Sequence, residues 1–234
     1  MKAAALYLAA LSFLCSFTGV ALSQTSAVTV SVGGVKAVLI KPDKPVASVI
    51  LLAGGNGRIE VQTDGSIKRA GNQLVRTRFD YAKRGFAVLV PDYGYDLSDL
   101  TEYMRKIKQP VTVVGTSRGT QRAARGISKG AKPDRLVLTS GFLSDSSGDD
   151  ENVISIVRSP SLLPPTLVIH HRLDHCKHTS PAGVKDFISW SNGRAKNVWL
   201  DGGNDFGDPC DAKSHHGFLG IDSKVVNLVS QFAR

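Results

Sequence analysis

The stretch 111–120, VTVVGTSRGT, limits what this chain can fold into more than any other. Val111, Thr112, Val113 and Val114 form an unbroken β-branched run, the pattern of a parallel strand buried on both faces. Gly115-Thr116-Ser117-Arg118-Gly119 follows at once, and residues 118–129, RGTQRAARGISK, have helical composition with alanines that permit close packing. A serine on so sharp a strand-to-helix turn sits in a strained backbone conformation, and the residues two before and two after it collide unless they lack a Cβ. G-x-S-x-G alone arises easily in a chain with 23 glycines. Between a strand and a helix it reads as a nucleophile elbow, which lifts the serine oxygen above the sheet edge and aims the first helical amides at it.

The rest of the chain supplies a sheet around that strand. Residues 27–32 and 35–40 alternate apolar with small or polar and are split by Gly33-Gly34, a β-hairpin with a tight turn. Residues 47–52, ASVILL, are a continuous apolar run and so a central strand, leading into the glycine-rich 53–57, AGGNG. Further strands are expected at 86–90, 135–139, 166–170 and 197–200, and helices at 69–84, 97–108, 152–157, 181–190 and 222–232. Strands alternating with helices predict an α/β fold: a doubly wound, mostly parallel sheet of about eight strands. Residues 24–234 read as one domain with no interval long enough for a large cap, leaving the loop 56–72 as the best partial cover.

Residues 1–23 read separately. Lys2 is followed by an uncharged, mostly apolar run, and Ala21-Leu22-Ser23 places small residues at the −3 and −1 positions of a cleavage site, the pattern of a signal peptide for export. An uncleaved membrane anchor is the alternative. After cleavage the chain keeps Cys176 and Cys210, and in an exported protein an even pair reads as a disulfide. Closing that loop would contribute about 3–4 kcal/mol in the chain-entropy model. The formal charge of +9 is scattered in short runs without interleaved aromatics, which argues against a nucleic acid partner.

A serine hydroxyl is a weak nucleophile unless a histidine takes its proton and a carboxylate orients that histidine. In a doubly wound sheet the acid and base belong at the carboxyl ends of later strands. Asp174 follows the strand at 166–170, with Asp145, after the preceding strand, as its rival. The loop after the last strand ends in His215-His216-Gly217-Phe218, and His216, against the glycine, is preferred to His215 as the base. The oxyanion requires two backbone amides: that of Arg118, first after the nucleophile, and that of Gly55 in the loop 54–56. A Cys176–Cys210 bridge would then tie the acid loop to the histidine loop. All six histidines (170, 171, 175, 178, 215, 216) fall in this part of the chain and with Cys176 invite a zinc site. The spacing is poor for one, because Lys177 sits amid the ligands and an oxidised Cys176 cannot ligate. No metal or cofactor is expected.

With these residues in view, the chain resembles the α/β-hydrolase superfamily nearly end to end, and most of all small, lidless bacterial members with a dienelactone-hydrolase-like core. Gly54-Gly55-Asn56-Gly57 resembles their oxyanion loop, residues 115–119 their elbow, Asp174 the acid and His216-Gly217-Phe218 the histidine motif. Two residues depart from the pattern: Ala53 stands where many members carry histidine, and Ser117 replaces the cysteine of true dienelactone hydrolases. The resemblance implies hydrolysis of a small-molecule ester, with a peptidase or amidase on the same triad and a non-catalytic binding protein as the rival readings. The acyl group is expected between the loop 56–72 and the segment after Gly141.

Overall fold

The computed structural model describes residues 26–234; the signal-peptide reading of residues 1–23 lies outside them. Strands β1 (Ala27–Val32) and β2 (Val35–Ile40) form the expected antiparallel hairpin, with both Gly33 and Gly34 at positive φ in its turn. Next come β3 (Ala47–Leu52), β4 (Phe86–Pro91), β5 (Val111–Thr116), β6 (Arg135–Thr139), β7 (Thr166–His171) and β8 (Ala195–Leu200). The eight strands lie in the order β1-β2-β4-β3-β5-β6-β7-β8. From β4 onward every neighbouring pair is parallel.

The strand order reverses once, and that reversal places the site. From β3 the chain crosses to β4 on one side, then jumps back over β3 to β5 and proceeds outward to β8. The loops leaving β3 and β5 therefore part at adjacent carboxyl ends, the crevice where ligands bind in open α/β sheets. Alternate strand residues feed two separate cores. Val49 and Leu51 face one side with Leu74 and Tyr81, from helices α1 (Gln73–Arg76) and α2 (Arg78–Lys83), and with Val226 of α7 (Asp222–Phe232). Ile50 and Leu52 face the other with Met104 of α3 (Leu97–Ile107), Ile127 of α4 (Arg118–Ser128) and Phe187 of α6 (Ala182–Trp190).

Local chemistry explains where the elements differ from expectation. The single helix expected at 69–84 is two short ones parted at Thr77, whose hydroxyl donates to the Gln73 carbonyl at 2.8 Å and competes with the helical ladder. The loop 56–72 is packed down: Ile59, Val61 and Ile67 are buried, and the Asp92 carboxylate accepts from the amides of Ile59 and Val61 at 3.0 Å each. The segment after Gly141 turns away from the crevice. Phe142 donates to Thr120 Oγ1 and accepts from Val153, at the start of the short helix α5 (Val153–Val157), so it packs against the elbow helix.

Candidate active site

At the elbow Ser117 has φ 51° and ψ −126°, a conformation that non-glycine residues seldom adopt and that costs about 1–3 kcal/mol. Backbone packing holds it there. A Cβ on Gly115 would stand 2.7 Å from the Gly119 carbonyl oxygen, and one on Gly119 would stand 2.2 Å from that of Leu52. The Ser117 amide donates to the Thr139 carbonyl of β6 at 3.0 Å. Any bulk at either glycine would push the elbow off the sheet.

Asp174 follows β7 and His216 lies in a 3₁₀ turn, His215–Gly217, in the loop after β8. His216 Nδ1 is 3.0 Å from Asp174 Oδ2, with Asp174 buried and His216 nearly so. The Thr179 hydroxyl lies 3.2 Å from the same carboxylate oxygen and 3.0 Å from His216 Nδ1, while the Cys176 amide donates to Asp174 Oδ1 at 3.0 Å. Burial alone would raise the Asp174 pKa; hydrogen bonds from His170 and His216, and their charge, outweigh it and hold the group well below the ordinary carboxylate range. A carboxylate on Nδ1 fixes the tautomer that leaves Nε2 free to take a proton.

Ser117 and His216 line the same cavity of about 500 Å³, together with residues of the loops 53–59 and 69–73 and of the segment 210–217. No hydrogen bond joins the Ser117 and His216 side chains. One wall is the loop 56–72, as expected. The opposite wall is the histidine loop; the segment after Gly141, expected there, is drawn onto α4 and α5 instead.

The rival residues are engaged elsewhere. Asp145 accepts from the Asn152 side-chain amide at 2.7 Å. His215 stacks on His171, with ring centroids 4.3 Å apart and planes within 6°, and lies 3.5 Å from Asp205. The Leu173 amide donates to His171 Nδ1, so its Nε2 carries the proton given to the Gly202 carbonyl, and burial lowers its pKa. His178 pairs with Asp150 at 2.5 Å. Among the described residues no three His, Cys, Asp or Glu side chains converge as metal ligands do.

Gly55 lies in the loop after β3 and Arg118 opens α4 directly after Ser117, and both border a cavity of about 700 Å³ that adjoins the one holding Ser117. Among the described residues neither amide has a protein acceptor. The loop carbonyls behind them are occupied: the Arg122 guanidinium, one turn along α4, donates to the carbonyls of Ala53 and Gly55. Gly55 itself has φ +55°, and a Cβ on Gly54 would lie 3.1 Å from that of Ser117.

Cys176 and Cys210 are bonded, with Cα atoms 4.6 Å apart, and so join the acid loop to the histidine loop. Arg76 is a second tie that the sequence does not announce. Its guanidinium donates to the carbonyls of Gly71 (2.9 Å), Ala212 (3.0 Å) and Gly217 (2.7 Å) and to the Asp222 carboxylate (2.9 Å). The Ser140 hydroxyl donates to the His216 carbonyl at 2.7 Å. Thr179, Ser140, Arg76 and Arg122 belong to no spacing motif; only the fold brings them to the site.

This sheet order, with a strained serine after β5, an aspartate after β7 and a histidine after β8, is that of the α/β-hydrolase fold. The chain matches no protein-family model, and no curated protein matches its sequence. Solved structures do match the fold. A Pyrococcus furiosus esterase superposes with TM-score 0.62 at 17% identity, over 89% of this chain and 90% of its own. A dienelactone hydrolase from Anabaena variabilis gives 0.59 at 16%, over 89% and 95%. A cold-adapted esterase from an Arctic intertidal metagenomic library gives 0.59 at 14%, over 89% and 93%.

Proposed function

We propose that this chain is an exported serine hydrolase that cleaves a small-molecule carboxylic ester through an acyl-enzyme on Ser117. The observation that carries the reading is the buried Asp174–His216 hydrogen bond of 3.0 Å opening onto the cavity that holds the strained Ser117. Ser117 Oγ attacks the ester carbonyl as His216 Nε2 takes its proton. Asp174, kept ionised, holds the imidazole and stabilises the imidazolium. The amides of Gly55 and Arg118 receive the oxyanion; one such donor typically contributes about 2.7–4 kcal/mol to lowering the barrier. Collapse of the tetrahedral intermediate expels the alcohol, which takes the proton from His216. A water then attacks the acyl group, gives its proton to the same nitrogen, and releases the acid and free Ser117.

Export is supported by the leader at 1–23 and by the disulfide, which persists in oxidising compartments. No helix among the described residues is long and apolar enough to cross a membrane. Ester hydrolysis is also the activity named for the Pyrococcus furiosus and Arctic proteins that share the fold. The reaction as written uses no metal or cofactor, and the scattered basic residues leave no stripe for nucleic acid. A panel of short esters run on wild type and Ser117→Ala tests the reading. The substitution removes nearly all turnover and leaves the circular dichroism spectrum unchanged; turnover surviving it would refute the assignment.

A further inference from the structure

Of the side chains lining the cavity that holds Ser117 and His216, only those of Ala53, Ile59 and Ala212 are aliphatic, and none of the three is longer than an isoleucine. Among its other lining residues is Gln73, at the start of α1. Gln73 is 1% exposed, and neither its amide nitrogen nor its amide oxygen has a hydrogen-bond partner among the described residues. Buried polar groups are paired almost without exception, because an unpaired one forfeits its hydration for nothing. A carboxamide left unpaired in the wall of a binding cavity is a place for a polar group of the ligand.

The charges around the cavity carry one sign further than the other. Arg58, Arg69 and Lys213 line it, against the single carboxylate of Asp211. Arg69 is spent on Glu60, at 2.6 Å, but among the described residues Arg58 and Lys213 have no ion-pair partner. The Arg58 guanidinium lies over the Tyr93 ring, 5.0 Å from its centroid, which holds it beside the crevice instead of leaving it to roam in solvent. Arg58 also borders an adjoining cavity of about 700 Å³, which Arg118 of the elbow helix lines, and Arg118 too has no ion-pair partner among the described residues.

From the unpaired Gln73 amide and the unpaired cations Arg58, on the wall opposite the histidine, and Lys213, on the histidine loop itself, we infer that the substrate is a short ester bearing a second, negatively charged group, a carboxylate. Gln73 hydrogen-bonds the polar part of that substrate, and Arg58 with Lys213 draws and holds its charge. The inference rests on the hydrolase reading above and narrows it to a substrate class.

The test compares methyl esters in a pH-stat, so that leaving group and reaction stay the same. Monomethyl succinate carries the charge; methyl succinamate is its neutral isostere; methyl pentanoate is the apolar control. A second arm, 3-acetoxypropanoate against 3-acetoxypropanamide, moves the charge to the alcohol side and identifies which half of the substrate faces the cations. In one arm the charged ester exceeds its neutral isostere in kcat/KM by about tenfold at low salt, and the ratio falls toward one at about 0.5 M NaCl, where screening reaches only a few ångströms. The same ratio collapses in Arg58→Ala/Lys213→Ala, and because it is taken within one variant a loss of folded protein cancels. Gln73→Leu shifts preference from methyl succinamate toward methyl pentanoate. Neutral isosteres turned over as well as the charged esters in both arms would overturn the substrate class while leaving the hydrolase intact. No turnover of any ester, together with no fluorophosphonate adduct on Ser117, would overturn the hydrolase reading and this inference with it.

Discussion

Around Ser117 geometry is held mainly by backbone: a strand, a turn with φ of 51°, two glycines packed against carbonyl oxygens at distances no Cβ tolerates, and an amide bonded across to β6, with one adjacent side chain, the Thr120 hydroxyl, on the Ser117 carbonyl. Around His216 it is held by side chains gathered from distant parts of the chain. Asp174 and Thr179 meet its ring, Ser140 its carbonyl, Arg76 its flanking carbonyls, and the Cys176–Cys210 bridge the loop that carries it. The serine half is a product of local sterics and the histidine half a product of tertiary ties. The two halves should therefore fail differently when disturbed, the first by unfolding and the second by losing rate within an intact fold.

The sharpest way to break the comparison is at Gly119. Gly119→Ala puts a methyl 2.2 Å from the Leu52 carbonyl oxygen, and since backbone cannot yield as a side chain does, the loss of stability should exceed about 3 kcal/mol by urea denaturation. On the other half, His216→Ala should lower kcat by about 10⁴–10⁶-fold with the melting profile nearly unchanged, whereas His215→Ala should stay within about threefold. Equal losses at the two histidines would dissolve the distinction between the imidazole facing Asp174 and the one stacked on His171.

Asp174→Asn comes next, with about a 10⁴-fold loss from a misassigned tautomer. It also has a pH signature. The folded pKa of Asp174 lies below its unfolded value, so the carboxylate contributes stability that is fully present above about pH 4–5 and is lost as pH falls through its folded pKa. Stability curves of wild type and variant should thus be furthest apart near neutrality and converge under acid; parallel curves would contradict a depressed Asp174. The smallest effect is expected at Arg76. A lysine keeps the charge but cannot reach four acceptors at once, so Arg76→Lys should cost about tenfold in kcat and Arg76→Ala up to about 10²-fold, with KM moving less, because a base displaced by about 1 Å loses that much. A rise in KM alone, with kcat unchanged, would assign Arg76 to binding.

The same contrast explains what could be read without coordinates. The run 111–119 determines the elbow because its constraint is confined to adjacent residues, and the continuous apolar strands at 47–52, 86–90 and 166–170 declare a parallel sheet. Asp174 and His216 are legible as loop residues at the ends of known strands, and the cysteine pair as a bridge. Thr179, Ser140 and Arg76 are not legible, since an ordinary threonine, serine or arginine gains its meaning only from a partner far along the chain. The break of the helix at Thr77 and the turn of the segment after Gly141 onto α4 were lost for a related reason: each hinges on one side-chain hydrogen bond competing with a backbone pattern.

Covalent labelling by a fluorophosphonate reads the union of the two halves directly, because it needs both an exposed serine oxygen and a base to activate it. One adduct is expected, mapped by mass spectrometry to the peptide carrying Ser117 and forming at least about 10³-fold more slowly in His216→Ala. No adduct on the folded protein, or labelling at the same rate with and without the imidazole of His216, would contradict the assignment.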